Sequence, residues 1–138
     1  MALDVGMKRI GVAVSDELRL LARGLETLKR ESKRKDLDRI AELAREYAVT
    51  EVVVGHPLRI GGEKSAQTEK VELFADELRQ RLGIPVRLWD ERLTSVEASE
   101  MLGAKRSVKA HIAERKSGAV DRMAALLILQ GYLERHEA

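Results

Sequence analysis

A chain of 138 residues, 44% apolar and 35% charged, has the size and composition of one domain with a real core and a soluble surface. With no cysteine it cannot be a disulfide scaffold, a thiol enzyme, a zinc finger or a thiolate iron–sulfur protein, and no apolar run approaches the roughly 20 residues that cross a bilayer. A net charge of +2 neither demands nor excludes a polyanionic partner, because what matters is where the 25 basic residues cluster.

Leu3 to Val5 and Ile10 to Ser15 read as two strands joined by a turn at Gly6, Lys8 and Arg9. The second alternates β-branched Ile10, Val12 and Val14 with small Gly11, Ala13 and Ser15. Leu25 to Leu28 reads as a weaker third strand. Leu37, Ile40, Leu43, Ala44 and Tyr47 recur at helical spacing and predict a helix over 36–48. Val52, Val53 and Val54 ahead of Gly55 are the mark of a strand buried on both faces. After a loop from Pro57 to Lys64, a second helix is predicted from Ser65 to Leu82, with Gly83 as its stop. Val86 to Trp89 is a fifth strand, and Thr94-Ser95-Val96-Glu97 has the capping-box form that opens a short helix to Leu102. Gly103 to Gly118 is polar, basic and without periodicity, and Ala119 to Arg135 is the closing helix. The order predicts a single α/β domain over 1–138, a mixed five-stranded β-sheet flanked by helices on both faces. The first residues carry no basic-then-apolar export signal, so a cytoplasmic location, away from any membrane, is expected.

Two basic clusters stand out. Lys29, Arg30, Lys33, Arg34 and Lys35 form one; Lys105, Arg106, Lys109, Arg115 and Lys116 form the other. Each taken singly reads as a solvated loop, whereas two in one small domain point towards a polyanion. Aromatic residues make up only 3% of the chain, which disfavours a base-stacking platform.

The acids carry the chemistry. Asp4 interrupts an apolar strand, Asp90 and Glu91 follow another, and Asp121 opens an otherwise apolar helix. Each has an ordinary structural reading: a turn cap for Asp4, an ion pair with Arg92 for Asp90 or Glu91, and one with Arg122 or Arg115 for Asp121. Together they fit a different pattern. Ligands of open α/β sheets gather beyond the carboxyl ends of strands, and carboxylates brought together there suit hard divalent metals such as Mg²⁺ or Mn²⁺. One or two such ions support in-line phosphoryl displacement. Other chemistries fit less well. Gly61-Gly62-Glu63-Lys64-Ser65 misses the phosphate-loop spacing. His56, His111 and His136 lack metal-ligand spacing, although His56, at a strand end before Pro57, stands where a functional group could. Ser15, Ser65, Thr94 and Ser95 have no adjacent base to activate them and read as caps and turns.

These residues also resemble a known family. The opening Leu3-Asp4-Val5-Gly6-Met7-Lys8-Arg9-Ile10-Gly11-Val12-Ala13-Val14-Ser15-Asp16 resembles the first hairpin of the YqgF, or RuvX-like, family. Val53-Val54-Gly55-His56-Pro57-Leu58 with Gly61-Gly62 is similar to its central strand and glycine loop, and Asp90-Glu91-Arg92-Leu93-Thr94-Ser95 to its acidic signature. Lys116 through Asp121 and on to Leu133 resembles its closing helix. The resemblance implies an RNase H-like fold and a metal-dependent endonuclease that matures the 5′ end of precursor 16S ribosomal RNA, or resolves four-way DNA junctions. It carries Asp4, Asp90 or Glu91, and Asp121 over as an acidic metal site. Strand alternation lets only one of the adjacent pair share a face with a given ligand, and the sequence leaves open which; the working metal set is Asp4, Glu91 and Asp121. The family usually has a few more residues ahead of the first strand, an apolar residue at position 56 and asparagine at position 59. His56 and Arg59 therefore bear on the rim of the site and on substrate preference.

Lys8 and Arg9, just beyond Asp4, are expected to hold phosphate, and Arg92 either to do so or to clamp its neighbouring acids. Lys105, Arg106, Lys109, Arg115 and Lys116 are expected to grip a nucleic-acid backbone without reading its bases. The partner is then structured RNA such as precursor rRNA, or branched DNA, with the protein a monomer or a weak homodimer. A rival without catalysis is a binding protein of ribosome assembly or transcription.

Overall fold

The computed structural model describes residues 1–91 and 118–135. The helix expected over 94–102, Arg92 and the basic stretch from Lys105 to Lys116 lie outside the described residues.

Strands β1 (Ala2–Val5), β2 (Arg9–Ser15) and β3 (Ala22–Lys29) form an antiparallel meander. Strands β4 (Val52–His56) and β5 (Val86–Asp90) continue the sheet in parallel beyond β1, giving the order β3-β2-β1-β4-β5. Helices α1 (Lys33–Glu46) and α2 (Ala66–Leu82) cover one face, and α3 (Ala119–Arg135) covers the other.

The two faces follow from strand alternation. Leu3, Val5, Ile10, Val12, Val52 and Val54 point to α1 and α2, where they meet Leu37, Ile40, Leu43, Val71, Phe74 and Leu78. The intervening Ala2, Ala13, Val53 and Trp89 point to α3 and pack against Ala125, Ile128, Leu129 and Tyr132. Side chains are smaller on this second face, so α3 rides close to the sheet. Trp89 closes its outer side with an edge-on contact to Tyr132, ring centres 5.8 Å apart.

The elements start and stop where local chemistry dictates. Ser32 accepts a hydrogen bond from the Lys35 amide, so α1 opens at Lys33, three residues ahead of the apolar pattern that predicts it. Ser65 and Thr68 form a reciprocal capping box at α2, and the Thr68 hydroxyl also donates to the Pro57 carbonyl at 2.5 Å. Gly83 ends α2 in the left-handed region, φ 68°. Strand β3 is longer than its sequence suggests. It is a half-exposed edge strand whose Arg23, Glu26 and Lys29 obscure its alternation, and the β2 ladder holds it despite a register slip between Val12 and Ala13. None of the described helices is long and apolar enough to cross a membrane.

Candidate active site

Asp4 sits on β1 directly opposite Gly11 of β2, and Gly11 in turn pairs with Thr27 of β3. By alternation all three lie on the α3 face. The first turn of α3 descends onto this row. A Cβ built on Gly11 would stand 1.9 Å from the Asp121 carbonyl oxygen, so only glycine admits the helix backbone here. Gly118, at φ 79°, turns the chain into α3, and the Thr27 hydroxyl donates to its carbonyl at 2.5 Å. The opening of α3 is therefore pinned to the strand row that holds Asp4.

Glu91 arrives from the other side, one residue past β5. A Cβ on Gly55 would lie 2.5 Å from Glu91 Oε1, so the bare surface of β4 gives this carboxyl its place. Glu91 donates a hydrogen bond to Asp4. Burial pushes the Glu91 carboxyl up to about 7, helped by the charges of Asp4 and Asp90. Burial also raises Asp4, opposed by the hydrogen bond from Glu91 and reinforced by the charge of Asp121. Asp121 Oδ2 is buried and has no hydrogen-bond partner among the described residues.

Of the four acids singled out in the sequence, Asp4, Glu91 and Asp121 share one face. Asp90 does not share it. Its register partner is His56, whose Nε2 lies 3.3 Å from Glu72 Oε2 of α2, on the opposite side of the sheet. Lys64 reaches the same Glu72 oxygen at 2.9 Å, so His56 belongs to a polar group beside α2. Arg59 closes the glycine loop on itself, its amide donating to the Glu63 carbonyl and its carbonyl accepting from the Gly62 amide.

The acids are not gathered around a single point: among the described residues no three His, Cys, Asp or Glu side chains form a ready ligand set. Asp4 and Glu91 hold each other by a shared proton, and Asp121 acts on Asp4 through its charge. The arrangement still has the chemistry of a cation site. The charge of Asp121 opposes ionisation of Asp4 and that of Asp4 opposes ionisation of Glu91, while the buried Asp121 oxygen has no donor among the described residues. A divalent cation would relieve both.

Lys8 and Arg9 stand just beyond Asp4 and line a groove of about 530 Å³ together with Thr27, Lys29, Arg30 and Arg122. Lys29 and Arg122 have no place among the phosphate-binding residues expected from the sequence. Lys29 belongs to a basic run, but nothing in one dimension says that it ends β3 beside Arg9. The rest of that run is largely committed elsewhere. Arg30 pairs with buried Asp36 at 3.1 Å, Lys33 with Glu77 at 3.0 Å and Lys35 with Glu31 at 3.6 Å.

A family model described as RuvX, Holliday junction resolvase, matches residues 1–135. The chain belongs to the RuvX family. A RuvX relative from Syntrophus aciditrophicus (strain SB), named "Putative pre-16S rRNA nuclease", is 50% identical over 135 residues, 97% of this chain and 87% of that protein. One of the same name from Koribacter versatilis (strain Ellin345) is 46% identical over 136 residues, 98% of this chain and 86% of that protein. Among solved structures, T. thermophilus RuvC in complex with Holliday junction substrate superposes with a TM-score of 0.55 at 19% identity, covering 97% of this chain and 93% of that one. A second Thermus thermophilus RuvC structure gives 0.50 at 19% identity, with coverage of 96% and 93%. The RuvX chain thus has the RNase H-like fold that the resemblance of its four motifs implied.

Proposed function

We propose that this chain is an endonuclease that hydrolyses phosphodiester bonds in structured RNA, most specifically in maturing the 5′ end of precursor 16S rRNA. The observation that carries the reading is the placing of Asp4, Glu91 and Asp121 on one face, with the buried Asp121 oxygen unpartnered among the described residues and a basic groove alongside. The names of the close relatives support the substrate class. Such work belongs in the cytoplasm, where ribosomes are assembled.

Asp4, Glu91 and Asp121 would hold one or two Mg²⁺ or Mn²⁺ ions. When bound, such an ion polarises the phosphoryl oxygens and activates water for in-line displacement. The chain supplies the rest. Asp121 is held by the close seat of α3 on Gly11, and Glu91 by the clearance over Gly55. Lys8 and Arg9 offset the charge of the incoming backbone. No histidine among the described residues stands beside the acids as a base; His56 is turned to Glu72.

Junction resolution is the second reading, favoured by the description of the family model. Paired cuts across a four-way junction need two copies related by a two-fold axis. A single cut in RNA needs only one. The deciding experiment measures cleavage of a precursor 16S fragment and of a four-way junction by the purified protein, with Mg²⁺, Mn²⁺ or EDTA, alongside light scattering for mass. Metal-dependent cleavage of the RNA by a monomer supports the first reading. Symmetric cuts in the junction by a dimer replace it with the second. No cleavage of either, with a stable protein partner recovered, leaves a binding protein of ribosome assembly or transcription.

A further inference from the structure

The hairpin that delivers Asp4 also forces an unusual neighbourhood. The Gly6 amide donates to the Arg9 carbonyl at 2.9 Å, closing a tight turn over Met7 and Lys8, so Gly6 and Arg9 face each other. Arg9 in turn pairs with Lys29 of β3. This row, Gly6–Arg9–Lys29, runs parallel to the row Asp4–Gly11–Thr27 and lies two residues further along the strands, about 7 Å away. Both rows share the α3 face. One ends in the acid site; the other places two cations directly opposite each other.

Like charges across an antiparallel pair are unfavourable. Among the described residues neither Arg9, Lys29 nor nearby Lys8 has a carboxylate within ion-pair distance. Several other cations of this small domain, Arg30, Lys33, Lys35, Arg39, Arg79, Arg81 and Arg87, each have one. The two cations open into the groove of about 530 Å³. Gly6, at the head of the row, puts no side chain between them and Asp4. The turn is braced as well: Arg30 donates to the Gly6 carbonyl at 3.0 Å, and its amide donates to the Lys8 carbonyl.

We infer that Arg9 and Lys29 form a clamp for the phosphate next to the scissile one, with Lys8 on its outer side. The separation of the two rows is comparable with the spacing of successive phosphates on one strand. A substrate whose scissile phosphate lies at Asp4 and Asp121 therefore brings its neighbour to the cation pair. The pair is a positioning device: it sets the register of the strand across the acids and takes no part in bond breaking. This rests on the nuclease reading above.

The test uses an oligoribonucleotide spanning the mapped cleavage site, with a single uncharged methylphosphonate at each phosphate flanking the scissile bond in turn. Wild-type protein is expected to lose roughly tenfold or more in cleavage when one particular flanking phosphate is neutralised. Arg9→Ala with Lys29→Ala is expected to lose a similar factor on the unmodified strand, and then to be indifferent to that methylphosphonate. Lys29→Arg alone should retain the wild-type pattern. In binding without metal, the double variant should show a shallower salt dependence, by about 0.7 in logarithmic slope for one phosphate that the protein no longer neutralises. Cleavage by wild type, with variant and wild type equally sensitive to the modified phosphate, overturns the clamp alone. Absence of metal-dependent cleavage by wild type overturns the nuclease reading and the clamp with it.

Discussion

The carbonyl oxygen of Asp121 occupies the space that a side chain on Gly11 would need, 1.9 Å from the Cβ position. Gly11 is also the register partner of Asp4. One missing methyl group thus lets a residue of α3, more than a hundred positions away in sequence, come down beside the acid of β1. The contact is with backbone, so it cannot be relieved by turning a side chain. Gly11→Ala is expected to lift the first turn of α3, cost about 1–3 kcal/mol of stability and lower cleavage by roughly a hundredfold or more. Chemical denaturation and single-turnover cleavage, measured side by side, check whether activity falls further than stability explains.

Asp4→Asn and Asp121→Asn each keep the shape of the site and remove one negative charge. Both are expected to abolish metal-dependent cleavage while leaving RNA binding in EDTA intact, since the basic groove is untouched. Undiminished turnover by either purified variant would falsify the assignment of the acids.

The pH dependence of stability has a definite sign. The folded protein holds the Glu91 carboxyl at about 7 against an ordinary 4.5, because burial and the charges of Asp4 and Asp90 oppose ionisation. Between those two values the folded state binds a proton that the unfolded chain has lost. Stability contributed by this site is therefore present at low pH and falls as pH rises through that window. Glu91→Gln should flatten the dependence and make the metal-free protein more stable than wild type at pH 8. Mg²⁺ or Mn²⁺ should recover stability at pH 8 in wild type and fail to do so in Asp121→Asn. Urea titrations at pH 5 and pH 8, with and without the ion, read all of these.

Arg30 ties the β1–β2 hairpin to the rest of the domain. Its guanidinium meets Asp36 Oδ2 at 3.1 Å, donates to the Gly6 carbonyl and lies 5.4 Å from the centre of the Phe74 ring. Asp36 is only 5% exposed and also accepts from the Glu31 amide. Asp36→Ala strands a half-buried cation and an amide, with an expected cost of about 2–4 kcal/mol. Arg30→Lys keeps the charge but loses the fork, and should loosen the hairpin at smaller cost. Amide hydrogen exchange is expected to rise first at Met7, Lys8 and Arg9 in both variants.

Much of this domain is visible in one dimension because it depends on neighbours in sequence. The valines of β4, the 3–4 spacing in α1, the caps Ser65 and Gly83 and the alternation in β2 each report local burial or local backbone geometry, and the fold class follows from their order. Charges on an edge strand hide β3, and the N-cap Ser32 moves the start of α1 beyond its apolar pattern. The acids, too, can be picked out singly, since a carboxylate in an apolar setting needs a reason. Their grouping is another matter. That Glu91 rather than Asp90 faces Asp4 depends on which side of β5 meets α3. That Lys29 stands opposite Arg9 depends on a ladder register set by a hairpin and a bulge. Such relations are sums over many weak contacts between distant segments, and only packing of both sheet faces selects one answer. The residue types and their order determined which acids this chain has to offer; the closure of α3 over Gly11 and Gly55 decided which of them share a face.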